Sequence, residues 1–339
     1  MKDARESEAG EAAISPTMQH VFGPVPSRRL GMSLGIDPVP LKTCNHSCVY
    51  CQLGRTRRLA RERAPFFDVA DILCEVAHVV EGPKGGGIDW ITFVGSGETT
   101  LASNLGLMIR GVKTMSDLPV AVITNGSLLH LADVRDELQA ADAVLPSLDA
   151  GSAGLYRKIN RPPRELGFED HVRGLVEFRR AYRGELWVEV MLLGGVNDTE
   201  AALQDLAAVL QRVAPDEIHL ATPTRPPAEP SVVPPGPDGL DRAAAVLGRV
   251  ARVLRPVHVD GTMTAGEDAV AAVQAIISRH PLEESEIKGL LTRWVPGRVE
   301  EAWAELTERE EIRSVDRFGK RFWCAGDMEF PRQDRTAGR

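Results

Sequence analysis

One alternation repeats along most of the chain and limits its fold more than any other feature. Short apolar or β-branched runs stand at "SLGID" near Ser33, "DWITFVG" near Trp90, "PVAVITNG" near Val120, "AVLPSLD" near Val144, "LWVEVMLL" near Trp187, "DEIHLAT" near Ile218 and "PVHVD" near Val257. Between them lie stretches of helical period, such as "DVADILCEVAHVV", where Ile72, Val76 and Val79 share a face, "HLADVRDELQA", "EDHVRGLVEFRRAY" and "EAALQDLAAVLQRV". The runs begin about thirty residues apart on average, the length of one βα unit. They are apolar nearly throughout, as parallel strands covered on both faces must be. The expectation is an α/β fold, a partial (βα)6-type barrel of parallel strands over residues 21–279. The proline-rich stretch "PTRPPAEPSVVPPGPDG" cannot be regular structure and reads as a long loop after one strand, where barrels carry function.

The pattern changes near residue 280. "HPLEESEIKGLL" opens a helix, "VPGRVEEAWAELTERE" gives a second with Val299, Trp303 and Leu306 on one face, and "IRSVDRFGKRFWC" reads as a hairpin turning at Phe318, Gly319 and Lys320. This order predicts a small winged-helix domain at residues 280–326, with tails at 1–20 and 327–339. The first nineteen residues carry Lys2, Arg5, Glu6, Glu8 and Glu11 and no apolar signal-peptide core, so a disordered tail is expected there. No apolar run reaches the roughly 18 residues a membrane span needs, so no membrane partner is expected. The net charge of -8 gives no blanket attraction to nucleic acid. Five cysteines in 339 residues do not make a secreted disulfide framework, and a reducing cytoplasm is the expected compartment.

Three of those cysteines, Cys44, Cys48 and Cys51, crowd into "KTCNHSCVYCQLG". Thiolates so close in sequence face one point only where a tight loop wraps a metal centre. A structural zinc site would close with a fourth Cys or His; His46 is the nearby candidate, and its place inside the loop makes the reach awkward. A four-iron cube on three thiolates instead leaves one iron open to a substrate, the logic of a catalytic metal site.

Here the residues resemble a known superfamily. Cys-x3-Cys-x-aromatic-Cys, with Tyr50 as the aromatic, is similar to the cluster loop of radical S-adenosylmethionine (SAM) enzymes. "VFGPVPSRRLGMSLGID", "KINRP", "GGVNDTE" and "TRPP" further resemble an iron–sulfur oxidoreductase subgroup related to tRNA wyosine synthases. The resemblance covers residues from about 21 to 260 and implies a [4Fe-4S] cluster on Cys44, Cys48 and Cys51, with SAM on the open iron. It implies reductive cleavage of SAM to a 5′-deoxyadenosyl radical that takes hydrogen from a substrate. A one-electron reductant such as flavodoxin or ferredoxin is then a partner. "GSGE", residues 95–98, stands where the family turns backbone carbonyls and often a carboxylate toward the SAM ammonium, implicating Gly95, Gly97 and Glu98; a plain turn would look the same. Ser147 and Asp149 stand where family members hold the ribose, although Asp149 equally suits a helix cap. Tyr50 would pack near the adenine or simply in the core, and Arg161 would pair with the SAM carboxylate. Wyosine synthases carry further upstream cysteines; none precedes Cys44 here, so neither a second cluster nor wyosine formation is expected.

Charged residues near the strand ends, Arg28, Arg29, Lys42, Arg161, Glu189 and Arg225, are candidates for substrate contact, with Glu189 and Arg225 the candidate catalytic groups. Glu189 interrupts an apolar run, and a buried carboxylate needs either a partner or a task. Cys74 lies on an amphipathic helix and Cys324 follows the wing, neither suited to a methyl-carrier role. The substrate class stays open among small molecule, RNA and peptide. Duplex DNA is not an expected partner: the second winged-helix helix carries Glu300, Glu301, Glu305, Glu308 and Glu310 against Arg298 and Arg309. The hairpin, with Arg313, Arg317, Lys320 and Arg321, could meet one phosphate backbone or an acidic protein, or the module could simply pack on the barrel and bury Trp303 and Trp323. The alternative to an enzyme is a non-catalytic, metal-sensing winged-helix regulator.

Overall fold

The computed structural model describes residues 18–82, 85–255 and 268–331. The chain enters as an antiparallel hairpin of β1 (Val21–Ser27) and β2 (Gly31–Ile36). Strands and helices then alternate: α1 (Val69–Val80), β3 (Trp90–Phe93), α2 (Leu105–Met115), β4 (Val120–Thr124), α3 (Ala132–Glu137), β5 (Ala143–Pro146), α4 (Ala153–Ile159), α5 (Phe168–Ala181), β6 (Glu185–Met191), α6 (Glu200–Val213), β7 (Glu217–Ala221), α7 (Gly239–Leu247) and β8 (Ala251–Val253). The eight strands sit in chain order, and β2 through β8 are parallel. Local chemistry sets the helix starts. Asp68 caps α1 through Ala70 N, and Thr199 caps α6 through Ala202 N.

Alternate strand residues face opposite layers, as the pleat requires. Ile91, Phe93, Val122, Val144, Val188 and Leu220 pack with the helices into the main core. Trp90, Ala121, Ile123, Ala143, Leu145 and Trp187 point to the other face, where Leu30 joins them. With helices on one face only, the sheet curls round that second face as a partial barrel. The expected strands near Ser33, Trp90, Val120, Val144, Trp187 and Ile218 are all present. The one near Val257 lies outside the described residues. Strands β1 and β8 were not anticipated: β1 pairs antiparallel with β2, and β8 is a three-residue piece at the sheet edge. The chain from residue 222 to 238 is irregular, as its prolines dictate.

The second core follows: α8 (Ala269–Ile277), β9 (Leu282–Glu283), α9 (Glu284–Trp294), α10 (Val299–Thr307), β10 (Ile312–Arg317) and β11 (Lys320–Ala325). Helix, helix and hairpin occur in the expected order, and β9 adds a third strand beside β11. This core begins earlier than residue 280, because Val270, Val273 and Ile277 of α8 pack with Ile287, Leu291 and Leu306. Val25 of β1 packs against it and joins it to the barrel. Among the described residues no helix is long and apolar enough to cross a membrane.

Candidate functional site

The loop after β2 brings Cys44, Cys48 and Cys51 together with donors aimed at their sulfurs. Cys44 Sγ accepts from His46 N at 3.4 Å and lies 3.9 Å from Asn125 Nδ2. Cys48 Sγ is 3.7 Å from Asn160 Nδ2, and Cys51 Sγ accepts from Lys42 Nζ at 3.5 Å. N–H groups facing every sulfur suit electron-rich, metal-bound thiolates. Burial, with Glu98 nearby, pushes the free Cys44 thiol up to about 12, and burial raises Cys48 well above its usual range. Such sulfurs ionise readily only against a metal centre. His46 is buried and bonds Tyr156 Oη through Nε2 at 3.1 Å. Among the described residues no three His, Cys, Asp or Glu side chains are grouped to hold a single ion. A cluster on three thiolates needs no fourth protein ligand, and His46 Nε2 is already engaged by Tyr156.

Close backbone approach fixes the "GSGE" turn against this loop. Glu98 N donates to Thr43 O at 2.8 Å, and a Cβ on Gly97 would stand 1.9 Å from that same oxygen. A Cβ on Gly95 would meet Asp37 Oδ1 at 2.7 Å. Glu98 is turned inward. Its Oε1 accepts from Thr100 N at 2.9 Å and from the hydroxyls of Thr100 and Thr124, each at 2.5 Å; its Oε2 accepts from Asn125 N at 2.6 Å. These four bonds take up the acceptor capacity of a carboxylate. They also set the loop after β4, where Asn125 Nδ2 bonds Asn45 Oδ1 at 2.7 Å and Asn45 Nδ2 bonds Ser127 Oγ at 2.8 Å.

Asp149 is the hub on the other side. Its Oδ2 accepts from Tyr50 Oη and Asn160 Nδ2, both at 2.6 Å, and its Oδ1 from Met191 N at 2.8 Å. Burial raises its carboxyl, and the bonds from Tyr50, Met191 and Asn160 oppose that rise. It does not cap α4; Ser152 does. Tyr50 is thus tied to Asp149 while its ring lies with Val49, Ile159, Leu193 and Val232. Ser147 forms a β-bridge with Glu189, which sets the ends of β5 and β6 side by side. Arg161, in the left-handed region at φ 48°, pairs with Glu229 at 2.5 Å, which Arg55 also grips at 2.9 and 2.7 Å. That pairing binds the loop after the cysteines to the proline-rich loop.

Inside the barrel Glu189 is ion-paired with Arg29, and both are largely buried. Burial first, and Arg28 second, lower Arg29 to about 10. Glu189 stands beside His219 in the β6–β7 register, and His219 Nε2 meets Glu217 at 3.0 Å. Arg225 forms a two-toothed ion pair with Glu286 of α9.

The C-terminal module reaches the same loop. Gln52 Nε2 and His280 Nδ1 are 2.8 Å apart, and Arg279 meets Asp37, which accepts from Ser96 N and Oγ. Arg55 N donates to Glu329 O at 3.0 Å, and Leu53 packs with Cys324, Ala325 and Met328. The basic residues of the hairpin are engaged within the chain. Arg313 and Arg317 donate to the carbonyls of Met328 and Pro331, Lys320 pairs with Glu283 and Arg321 with Asp316. Trp303 and Trp323 meet edge-on at 5.5 Å and are half-buried in their own module. Cys74 is exposed, and Cys324 is buried in a small apolar cluster against which Cys51 packs. Asn125 and Asn160 were missed from the sequence, although "TNG" after a strand and "KINRP" were both in view.

Comparison with known proteins extends this geometry. A model described as the radical SAM superfamily matches residues 39–207. The chain is 36% identical over 280 residues to a UPF0026 protein of Methanocaldococcus jannaschii, covering 81% of this chain and 87% of that one. It is 44% identical over 207 residues to a Brachyspira hyodysenteriae protein named GTPase Obg, covering 61% of this chain but only 30% of that protein. A solved radical SAM methyltransferase from Sphaerobacter thermophilus shares the fold, with a TM-score of 0.51 and 19% identity over 65% of this chain and 66% of that one.

Proposed function

Because this chain belongs to the radical SAM superfamily, alongside the UPF0026 proteins, we propose that it is an enzyme that cleaves SAM reductively and abstracts hydrogen from a bound substrate. Members of the superfamily use a [4Fe-4S] cluster and SAM, and the residues here suit both. One observation carries the reading: three half-buried thiols, each faced by an N–H donor, on a loop pinned to the "GSGE" turn.

In this proposal Cys44, Cys48 and Cys51 hold the cluster. When bound, the cluster supplies an electron to the SAM sulfonium, splitting it into methionine and a 5′-deoxyadenosyl radical. Gly95 and Gly97 let the turn's backbone carbonyls approach the SAM ammonium. Glu98 holds that turn to β4 rather than meeting the ligand itself. Asp149 and Ser147 stand near the ribose, with Asp149 fixing the Tyr50 ring against the adenine. Arg161, half-exposed, could leave Glu229 for the SAM carboxylate. The module of α8 to β11 is read as a winged helix that closes the barrel beside the cluster loop. Its exposed Glu300, Glu301, Glu305, Glu308 and Glu310 oppose duplex DNA, and its basic hairpin is internally paired.

Electron paramagnetic resonance of the reduced, anaerobically loaded full chain tests the reading. The proposal expects SAM to perturb the cluster signal, as ligation at an open iron would. A signal indifferent to SAM would favour the metal-sensing alternative.

A further inference from the structure

Three arginines stand on two loops, one between β1 and β2 and one after β7, and two carboxylates answer them. Arg28 and Arg29 sit in the β1–β2 turn, and Arg225 in the proline-rich loop after β7. Arg29 takes Glu189 and Arg225 takes Glu286. Arg28 is half-buried and, among the described residues, has neither a hydrogen-bond nor an ion-pair partner. It lies close enough to Arg225 for their charges to oppose each other, with Glu286 offsetting part of that repulsion. The adjoining half-buried His280 is held down to about 4, first by loss of solvent and then by Arg225, Arg279 and Arg28, so it adds no positive charge near neutral pH. A half-buried guanidinium with no bonded partner is only partly compensated, and it cannot escape by losing its proton. The arrangement is balanced only when an anion arrives.

Position says what that anion belongs to. Glu189, the partner of Arg29, bridges to Ser147 and stands two residues before Met191, whose N–H Asp149 holds. His280 bonds Gln52, the residue after Cys51. The unpaired charge therefore lies along the route between the module and the proposed SAM site. We propose that Arg28, with Arg225 beside it, binds an oxyanion group of the substrate, a phosphate ester or a carboxylate, and that Glu286 of the C-terminal module occupies Arg225 until that group docks. This rests on the enzyme reading above and adds to it the substrate's chemical class. The two sources differ in charge. A phosphate near −2 matches both arginines and displaces Glu286; a carboxylate matches Arg28 alone and leaves the Arg225–Glu286 pair in place.

The test uses the anaerobically loaded full chain, with inorganic phosphate and acetate as probes, each titrated by NMR line-broadening. Arg28→Met should weaken the preferred anion roughly tenfold or more, as loss of a charge-assisted contact does. Arg28→Lys should retain part of the affinity, and the exposed Arg249→Ala should change nothing. Glu286→Gln is the second variant, and it should fold: Glu286 accepts from Glu283 N in the capping box of α9, a role Gln also fills. If the group is a phosphate, Glu286→Gln should tighten phosphate roughly fivefold by freeing Arg225, with little effect on acetate. If it is a carboxylate, acetate binding should depend on Arg28 and be nearly unmoved by Glu286→Gln. Unchanged binding of both anions by Arg28→Met would overturn the site. SAM cleavage by the wild-type chain, assayed in the same preparation, keeps the two claims apart. Cleavage without Arg28-dependent anion binding removes this inference alone, and Arg28-dependent binding without cleavage keeps the anion site and removes the enzyme reading.

Discussion

Replacing Glu98 by Gln separates two roles for that carboxylate. If it meets the SAM ammonium, loss of its charge weakens SAM and spares the fold. If it is locked as the geometry indicates, the fold itself weakens. Its two oxygens accept two rigid backbone N–H groups, Thr100 N on Oε1 and Asn125 N on Oε2. An amide offers one oxygen, so its NH2 group must face one of those N–H groups, and neither can turn away. The two threonine hydroxyls can rotate and rescue part of the loss. One buried N–H left without an acceptor, plus weaker bonds elsewhere, costs about 3 kcal/mol. At about 2 °C per kcal/mol for a chain of this size, the melting temperature should fall by about 6 °C. Anaerobic circular-dichroism melts of the cluster-loaded chain, with SAM titrations alongside, supply both numbers. A melting temperature within about 1 °C of wild type, together with roughly tenfold weaker SAM binding, would refute the locked carboxylate.

Replacing Cys44, Cys48 and Cys51 together by Ala should abolish the uptake of about four irons per chain, measured by iron assay after reconstitution, whereas Cys74→Ala or Cys324→Ala should leave it intact. Stability should fall in acid through His171, which is buried against Tyr156 and lowered by burial from 6.5 to about 4. Below about 6.5 the unfolded chain takes a proton that the folded chain refuses, so up to about 3 kcal/mol is lost as pH drops to about 4. His171→Gln should flatten that part of the denaturation profile, and an unchanged slope would count against it. Gly54→Ala should loosen the C-terminal segment, because Gly54 has φ +77° and its Cβ would fall 2.2 Å from Glu329 O. Limited proteolysis should then cut after residue 325 faster than in wild type.

Periodicity made most of the barrel legible because buried parallel strands announce themselves as apolar runs; "WITF" and "VAVIT" could hardly be anything else. Strand β1 escaped because "VFGPVPS" holds two prolines and four half-buried positions, a pattern that reads as a loop. The three cysteines were legible because thiol spacing is a local property. What touches them was not. Asn125 and Asn160 lie 81 and 112 residues from the sulfurs they face. Asp149 and Glu98 stand out in the sequence as polar residues after strands, but their partners, Met191 N and Asn125 N, are backbone groups that no side-chain motif records. The engagement of the basic hairpin was hidden for the same reason: Arg313 and Arg317 are taken by carbonyls of the chain after β11.

The most direct test of the account is product analysis after the anaerobically reconstituted full chain is incubated with SAM and a strong one-electron reductant. The account predicts methionine and 5′-deoxyadenosine in equal amounts, formed slowly without substrate and lost in Cys48→Ala. Intact SAM after prolonged incubation of cluster-loaded protein would contradict it.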